Sequence, residues 1–132
     1  MLTIYIPRVP PSPNERKYKN HFAYRDLRNL WERELYLAVP AKQRHEIMDF
    51  ARCCKMKFTA HMEVAQLRDP DNLPACLKPV LDALRRVGFI HNDNVQWLQI
   101  DAVTQSLTGG RKNGGTKITL SPIHKTELDN AA

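Results

Sequence analysis

Two stretches of the chain alternate between hydrophobic and polar residues, which is the pattern of a β-strand with one buried face. The first runs from Leu2 to Ile6 and precedes a proline-rich segment, residues 7–14. The second runs from Lys55 to Val64. Its predicted buried face holds Met56, Phe58, Ala60 and Met62. The alternation predicts two strands, and the prolines predict an extended loop after the first, because proline lacks the N–H that helices and central strands use.

Helical spacing of hydrophobic residues separates these strands. It predicts a helix from Tyr24 to Ala38, which should end before Pro40. The apolar positions of this helix are Leu27, Leu30, Trp31, Leu35 and Ala38. A shorter helix is predicted over residues 42–53. Its apolar positions are Ile47, Met48 and Phe50.

A third amphipathic pattern starts at Leu73 and ends at Gly88. Pro79 inside it implies either a kink or a late helix start near Lys78. Further along, alternation predicts two strands, over residues 95–104 and 116–120. The glycine-rich segment between them is typical of a long hairpin with a flexible tip.

The order of these elements predicts the fold class. Written β-α-(α)-β-α-β-β, it indicates one domain of the α/β or α+β class over residues 1–124. We expect a mixed sheet of about four strands covered by two or three helices. Residues 125–132 are polar and should form a frayed tail.

Charge is distributed unevenly along the chain. The formal net charge is +6, yet the segment from Gln66 to Asp101 holds five acids and four bases. Residues 8–28 hold six bases and two acids, interleaved with Tyr18, Phe22 and Tyr24, which could rest against nucleotides. An acidic centre in a basic protein suits a metal-dependent enzyme that acts on a polyanion. A solvated basic surface would also explain each basic cluster taken alone.

The residues expected to contact a DNA backbone lie in the N-terminal segment and the glycine-rich loop. They are Arg8, Asn14, Arg16, Lys17, Lys19, Arg111 and Lys112. A further basic cluster is Arg52, Lys55 and Lys57. Scattered patches of this kind suit phosphate binding more than base readout.

The cysteines and the hydropathy of the chain indicate in which cellular compartment the protein is expected. Cys53, Cys54 and Cys76 contain no pair at zinc-site spacing, and an odd number argues against a secreted disulfide framework. We expect them to be small buried residues. No apolar run approaches the length needed to cross a bilayer, and the N-terminus is too short for a signal sequence. The chain is therefore expected in the cytoplasm.

The candidate chemistry begins at the sequence DPDN of residues 69–72, just after the second strand. Asp69 and Asp71 project to one side of an extended chain, and Asp93 follows after one predicted helix. Since such a helix returns the chain alongside its own start, the three carboxylates could converge on a hard cation such as Mg²⁺. Lys78, two helical turns after Asp71, could stabilise the charge that develops during phosphodiester hydrolysis.

Structural roles also account for these residues one at a time. Asp69 and Asn72 are favoured turn and helix-cap residues. Lys78 and Asp82 have the spacing of an exposed i,i+4 ion pair. Asp93 lies between two asparagines, which is the composition of a turn. Spacing alone therefore leaves the metal site and the structural roles both open.

Taken in order, these motifs resemble the RusA family of Holliday junction resolvases, and the resemblance covers nearly the whole chain. The family pattern is a PPSxN-type segment after strand one, then DxDN, a lysine, a DAL or DGL helix end, and a GF/GV-x-x-D(D) turn. The matching residues are Pro10–Asn14, Asp69–Asn72, Lys78, Asp82–Leu84 and Gly88–Asp93. Two departures are a longer spacing between DxDN and Lys78 and the presence of Asn92 where the family's last turn has an acid.

The resemblance implies a Mg²⁺-dependent endodeoxyribonuclease that resolves four-way DNA junctions by paired cuts, as a homodimer, in recombination and repair. It assigns Asp69, Asp71 and Asp93 as metal-binding catalytic acids, and Lys78 as the assisting lysine. Asn72 and Asp82 are expected behind them, as a helix cap and a supporting carboxylate. Neither a membrane nor an organic cofactor is expected. The alternatives are a DNA-binding module whose acids are structural, and a less selective nuclease for flaps or other branched DNA.

Overall fold

Four strands form one mixed sheet in the computed structural model of the protein, which describes residues 1–13, 20–109 and 114–123. The strands are β1 (Leu2–Ile6), β2 (Met56–Val64), β3 (Leu98–Leu107) and β4 (Gly115–Pro122). They lie in the order β1-β4-β2-β3. β4 pairs antiparallel with both β1 and β2, while β2 and β3 are parallel. The predicted single α+β domain with a mixed sheet is confirmed.

Four helices accompany the sheet in the described part of the chain. They are α1 (His21–Ala38), α2 (Ala41–Cys53), the short α3 (Leu73–Cys76) and α4 (Lys78–Val87). α1 begins three residues before its predicted start, because the Asn20 side chain caps it by accepting a 2.8 Å hydrogen bond from the Ala23 N–H. The late start of α4 at Lys78 is confirmed. Pro79 occupies its first turn, where no helical N–H is needed.

The predicted hairpin of the last two strands is wrong. β4 inserts between β1 and β2, so β2 separates it from β3. Alternation identifies a strand with one buried face but does not select its partners, since hydrogen bonding to a neighbour is a long-range choice. β3 also begins later than predicted, because the Asn94 carbonyl accepts hydrogen bonds from the Trp97 and Leu98 N–H groups and closes a turn there. Of the expected hairpin connection, residues 108–115, residues 110–113 lie outside the described part of the chain.

One buried cluster joins the sheet to its helices. Every second residue of β2 is buried, as predicted, and packs with Trp31 of α1, Ile47 of α2 and Leu84 of α4. The prediction that Phe50 lies on the apolar face of α2 is wrong. Phe50 is 46% exposed, and the neighbouring Ala51 is buried. Ala51 lies one helical turn after the buried Ile47 and shares its face, whereas Phe50 lies at the border of that face, where an apolar residue can remain exposed. The helices therefore cover one face of the sheet.

Contacts between α1 and α4 define their relative direction. The Tyr24 hydroxyl donates a hydrogen bond to the Asp82 carboxylate, and Arg86 forms an ion pair with Glu32. Early residues of α1 thus meet the middle of α4, and later ones meet its end, so the helices run side by side in the same direction. No helix within residues 1–13, 20–109 and 114–123 is long and apolar enough to cross a membrane.

Candidate functional site

Arg68 anchors the segment that leads from β2 to the DPDN motif. Its backbone N–H donates to the Gln105 side chain of β3 at 2.9 Å, and its carbonyl accepts from the Gln105 amide at 2.7 Å. Its guanidinium donates to the Pro10 carbonyl at 2.5 Å. Arg68 therefore holds the start of the motif beside the last third of β3 and against the proline-rich segment.

Asp69 and Asp71 lie exposed on a tight turn directly after Arg68. The Asp69 carboxylate accepts a 3.0 Å hydrogen bond from the Asp71 N–H, and its carbonyl accepts from the Asn72 N–H at 2.9 Å. These bonds close one 3₁₀ turn over Pro70–Asn72. Asn72 stands at the start of α3 but makes no side-chain capping bond, so the expected Asn72 cap is replaced by Asp69. Asp69 takes that role because its side chain reaches the first unpaired N–H of the turn.

Asp93 lies in a second exposed turn, between α4 and β3. Its N–H donates to the Asn92 side chain at 2.8 Å, and the Asn94 side chain accepts from the Gln96 N–H at 3.1 Å. The turn ends at Trp97, whose carbonyl accepts a 3.0 Å hydrogen bond from the Met56 N–H. Asp93 is thus attached to the beginning of β2 and β3.

The parallel pairing of β2 with β3 separates the two acidic turns. Met56 pairs with Leu98 at one end, and Val64 pairs with Leu107 at the other. Asp69 and Asp71 follow the late end, where Gln105 binds Arg68, whereas Asp93 precedes the early end. The seven residue steps from Leu98 to Gln105 correspond to about 23 Å of strand.

The predicted convergence of three carboxylates is not seen within one chain. Among the residues that the structure describes, no group of three or more His, Cys, Asp or Glu side chains is placed to hold a metal ion. The physical reason is the crossover: a helix that joins two parallel strands returns the chain to the beginning of the first strand, not to its end. The motif at the end of β2 and the turn before β3 therefore stay apart.

Lys78 is the first residue of α4 and is exposed. α3 ends at Cys76 and α4 begins at Lys78, with Leu77 between them. Asp71 and Lys78 therefore do not lie two turns apart on one continuous helix, contrary to the expectation. The Lys78 ammonium instead lies 5.7 Å from the centre of the Tyr24 ring. Asp82, the expected supporting carboxylate, accepts the Tyr24 hydroxyl bond that joins α4 to α1. Tyr24 therefore packs between the two helices and is not displayed as a nucleotide-stacking ring.

A group of basic side chains that the sequence pattern did not assemble includes His91, two residues before Asp93. Arg52 of α2, Arg85 of α4 and His91, here called the basic cleft, line an open cavity of about 190 Å³. The His91 ring packs 4.0 Å from the Trp97 ring, and Arg52 forms a 3.2 Å ion pair with exposed Asp49. Gly88 brings α4 and its following turn to this cavity, because its left-handed φ of 86° reverses the chain. Gly88, at the end of the predicted helix, was the sequence feature that indicated a chain reversal at this position.

Arg8 is the described member of the predicted DNA-contacting set. It is exposed on the chain after β1 and forms a 3.4 Å ion pair with Glu34 of α1. Its carbonyl accepts a 2.8 Å hydrogen bond from the buried Thr116 hydroxyl, which holds this segment to β4. The other predicted contacts lie outside the described residues: Asn14, Arg16, Lys17, Lys19, Arg111 and Lys112.

The adjacent cysteines at the end of α2 differ from the expected buried thiols. Cys53 is exposed and Cys54 is half-buried, whereas Cys76 is fully buried as expected. Burial raises the pKa of the Cys54 thiol, and the hydrogen bond and charge of Cys53, whose sulfur lies 3.8 Å away, raise it further. Cys54 is therefore a neutral thiol at neutral pH, which does not favour a metal ligand.

Comparison of the chain with models of known protein families found no match, and comparison with curated proteins found no significant one. The family resemblance therefore rests on the order of the motifs in the sequence.

Proposed function

We propose that the protein is a Mg²⁺-dependent, structure-selective endonuclease that resolves four-way DNA junctions by paired phosphodiester hydrolysis, as a homodimer in the cytoplasm. One observation carries the proposal: Asp69 and Asp71 are exposed on an anchored turn in a protein with net charge +6. Carboxylates fixed at a DNA-facing surface repel phosphates unless a cation lies between them. A metal-dependent reaction explains why acids occupy this surface, whereas simple DNA binding does not explain it.

The donor chemistry of the two turns fits Mg²⁺, which prefers carboxylate oxygens and retains several waters. Asp69 uses one oxygen for the Asp71 N–H, and its second oxygen can bind a cation. Asp71 is exposed on the same turn and offers a second carboxylate, whereas Asp93 is an exposed acid on the separate turn before β3. When bound, Mg²⁺ would neutralise charge on the scissile phosphate and lower the pKa of the attacking water.

Positive side chains supply the remaining functions. Lys78, exposed at the start of α4, offers an ammonium for the negative charge that develops in the transition state. The basic cleft offers three donors for backbone phosphates close to Asp93. Phosphate binding by such side chains weakens as the ionic strength rises.

The decisive experiment is cleavage of a synthetic four-way junction in Mg²⁺ by wild-type protein and by Asp71→Asn. We expect symmetric nicks from wild type, none with EDTA, and at least a 100-fold slower reaction from the variant, because removal of one ligand charge weakens the metal site. Junction binding in Ca²⁺ or EDTA should survive the substitution. Asp26→Asn is the matched control, since Asp26 is an exposed acid on α1 far in sequence from both turns. Undiminished cleavage by Asp71→Asn would overturn the site.

A DNA-binding module without catalysis is the second candidate. The capping bond of Asp69 favours it, because that bond gives the carboxylate a structural role without a metal. This candidate requires DNA binding with no hydrolysis in Mg²⁺ or Mn²⁺, and no change of Tm when either ion is added. Parallel assays with flaps and linear duplex distinguish junction resolution from less selective cleavage.

A further inference from the structure

We propose that Cys53 and Cys54 form a two-thiol site for a trivalent metalloid that carries one organic group, such as the arsenic atom of an organic arsenoxide. The metalloid would form one bond to each sulfur. The proposed endonuclease reaction uses neither residue, so the two proposals can be tested independently. Three properties of the pair support the site: its exposure, the distance between its sulfurs and the number of ligands around it.

The two cysteines lie where α2 ends and the chain turns toward β2. Cys53 is the last residue of α2 and is exposed, and Cys54 is half-buried. The Cys54 N–H donates a 2.8 Å hydrogen bond to the Phe50 carbonyl, and the Cys54 backbone is extended, with a φ of −119°. The Cys53 thiol, a weak donor, lies 3.6 Å from the Asp49 carbonyl and 3.8 Å from that of Phe50. One sulfur is thus open to solvent, and the other lies beside it.

The distance between the two sulfurs fits one bridging atom. Side chains of neighbouring residues diverge in a regular helix and lie on opposite faces of a strand. At the change from helical to extended backbone, however, the Cys53 and Cys54 sulfurs lie 3.8 Å apart. Two thiolates bonded at about 2.3 Å to one tetrahedral atom are also about 3.8 Å apart. A pyramidal trivalent atom holds its ligands slightly closer, and rotation of the exposed Cys53 side chain can supply that difference.

A direct disulfide fits this pair less well. The Cα atoms of disulfide partners are usually at least about 4.4 Å apart, and their sulfurs are about 2.05 Å apart. Adjacent residues joined by a trans peptide have Cα atoms only about 3.8 Å apart. A bridging atom avoids this conflict, because it lengthens the link between the two sulfurs.

The number of ligands selects the chemical class. Zinc takes three or four protein ligands, but across the described residues no group of three or more His, Cys, Asp or Glu side chains could hold a metal ion. Trivalent arsenic with one organic substituent needs only two further bonds. Burial and the neighbouring Cys53 raise the pKa of the Cys54 thiol, which also disfavours ions that require a thiolate formed beforehand. The pair therefore suits a ligand that can remove the thiol protons itself.

An arsenoxide provides the acceptor for both protons. Two arsenic–sulfur bonds form, while both S–H bonds and the bonding between arsenic and its oxide oxygen break. The two protons leave with that oxygen as one water molecule. Arsenic stays trivalent and sulfur is not oxidised, so the step needs no oxidant or reductant.

Binding of phenylarsine oxide to the reduced full-length protein tests the site, measured by intact-mass spectrometry and isothermal titration calorimetry. We expect one phenylarsenic group per chain, which a small dithiol removes and a monothiol at equal thiol concentration does not. Cys53→Ser and Cys54→Ser should each weaken binding by about 100-fold or more, because the second bond gains from the effective concentration that the first one creates. Cys76→Ala is the matched control and should bind as wild type does, since Cys76 is fully buried and its thiol donates to the Asn72 carbonyl at 3.3 Å.

Labelling of the wild-type protein with N-ethylmaleimide provides a second measurement that needs no variant. Phenylarsine oxide should protect Cys53 and Cys54 together, as detected by peptide mapping. Wild-type protein that does not bind the probe, or a Cys53→Ser or Cys54→Ser protein that binds it as tightly as wild type, would overturn the site. So would protection of only one of the two thiols. Junction cleavage is not a readout in either measurement, so failure of this site leaves the proposed function standing, and failure of the proposed function leaves this site standing.

Discussion

The two acidic turns at opposite ends of β2 and β3 are built in different ways. The Asp69 carboxylate closes its own turn by accepting the Asp71 N–H, and Arg68 fastens this turn to Pro10 and to Gln105 of β3. The Asp93 turn also has local hydrogen bonds, in which the Asn92 and Asn94 side chains accept, while Gly88 reverses the chain before it and His91 packs on Trp97. In the first turn the candidate carboxylate itself makes the closing bond, whereas in the second Asp93 contributes its N–H and the neighbouring asparagines accept.

The difference shows why a local motif can be recognised in a sequence when its partner cannot be placed. Asp69 and Asp71 carry their own geometry, because the Asp69 side chain closes the turn that contains Asp71. The segment that leads to Asp93 passes the basic cleft, where His91 lines the same cavity as Arg52 of α2 and Arg85 of α4. We therefore expect substitutions at the first turn to change function with small effects on folding, and substitutions at the second to change both.

Within the two acidic turns and their flanking residues, the largest expected effect on folding is at Gly88. It has a φ of 86°, and a Cβ atom added there would lie 3.4 Å from the Met48 terminal methyl carbon. Gly88→Ala should lower the free energy of unfolding by about 1–2 kcal/mol, because alanine is strained at positive φ. Urea unfolding followed by circular dichroism gives this value.

Gly88→Asn is the comparison variant for that measurement. Asparagine tolerates the left-handed conformation better than alanine but is bulkier. A smaller loss for asparagine than for alanine would show that backbone strain dominates. A larger loss would show that the contact with Met48 dominates, and no loss from either variant would contradict the role assigned to this reversal.

Much of the fold follows from the sequence because its signals are local. Alternation in β1 and β2 predicts both strands to within one residue, and Pro79 predicts the start of α4. Strand partners do not follow, since the same alternation serves any neighbour. Val95 illustrates the limit: it looks like the start of a strand, but the Asn94 turn leaves it 82% exposed.

In the candidate site, too, local features follow from the sequence and long-range ones do not. The Asp69–Asp71 turn is predicted by residue chemistry, as is the turn composition around Asp93. Their separation is a property of topology: only the parallel register of β2 with β3 shows that the crossover ends at the wrong strand end for convergence. The basic cleft likewise needs α2 packed beside the end of α4, which no spacing along the chain expresses.

A smaller effect is expected at Asp69, where stability and metal binding can be separated. Asp69→Ala removes the capping bond and should lower the free energy of unfolding by about 1 kcal/mol. Asp69→Asn keeps a capping oxygen, so it should lower the free energy of unfolding by only about a few tenths of a kcal/mol. Both variants remove the carboxylate charge, so both should lose Mn²⁺ binding. Equal stability of the two variants in chemical denaturation would show that the hydrogen bond to the Asp71 N–H contributes nothing.

The smallest expected effect belongs to the basic cleft, and it tests whether this end of the molecule contacts DNA. Arg85→Gln removes one phosphate contact, so the slope of log Kd against log salt concentration should fall by about 0.9. Between 50 and 200 mM salt, that is about a 3.5-fold smaller loss of affinity for a four-way junction in Ca²⁺. Arg33→Gln provides the control, because Arg33 is an exposed arginine on α1 that does not line the cleft. Fluorescence anisotropy measures both slopes. An unchanged slope for Arg85→Gln would show that the basic cleft does not bind DNA phosphates. Equal changes in both variants would show that the two arginines act only through the net charge of the protein.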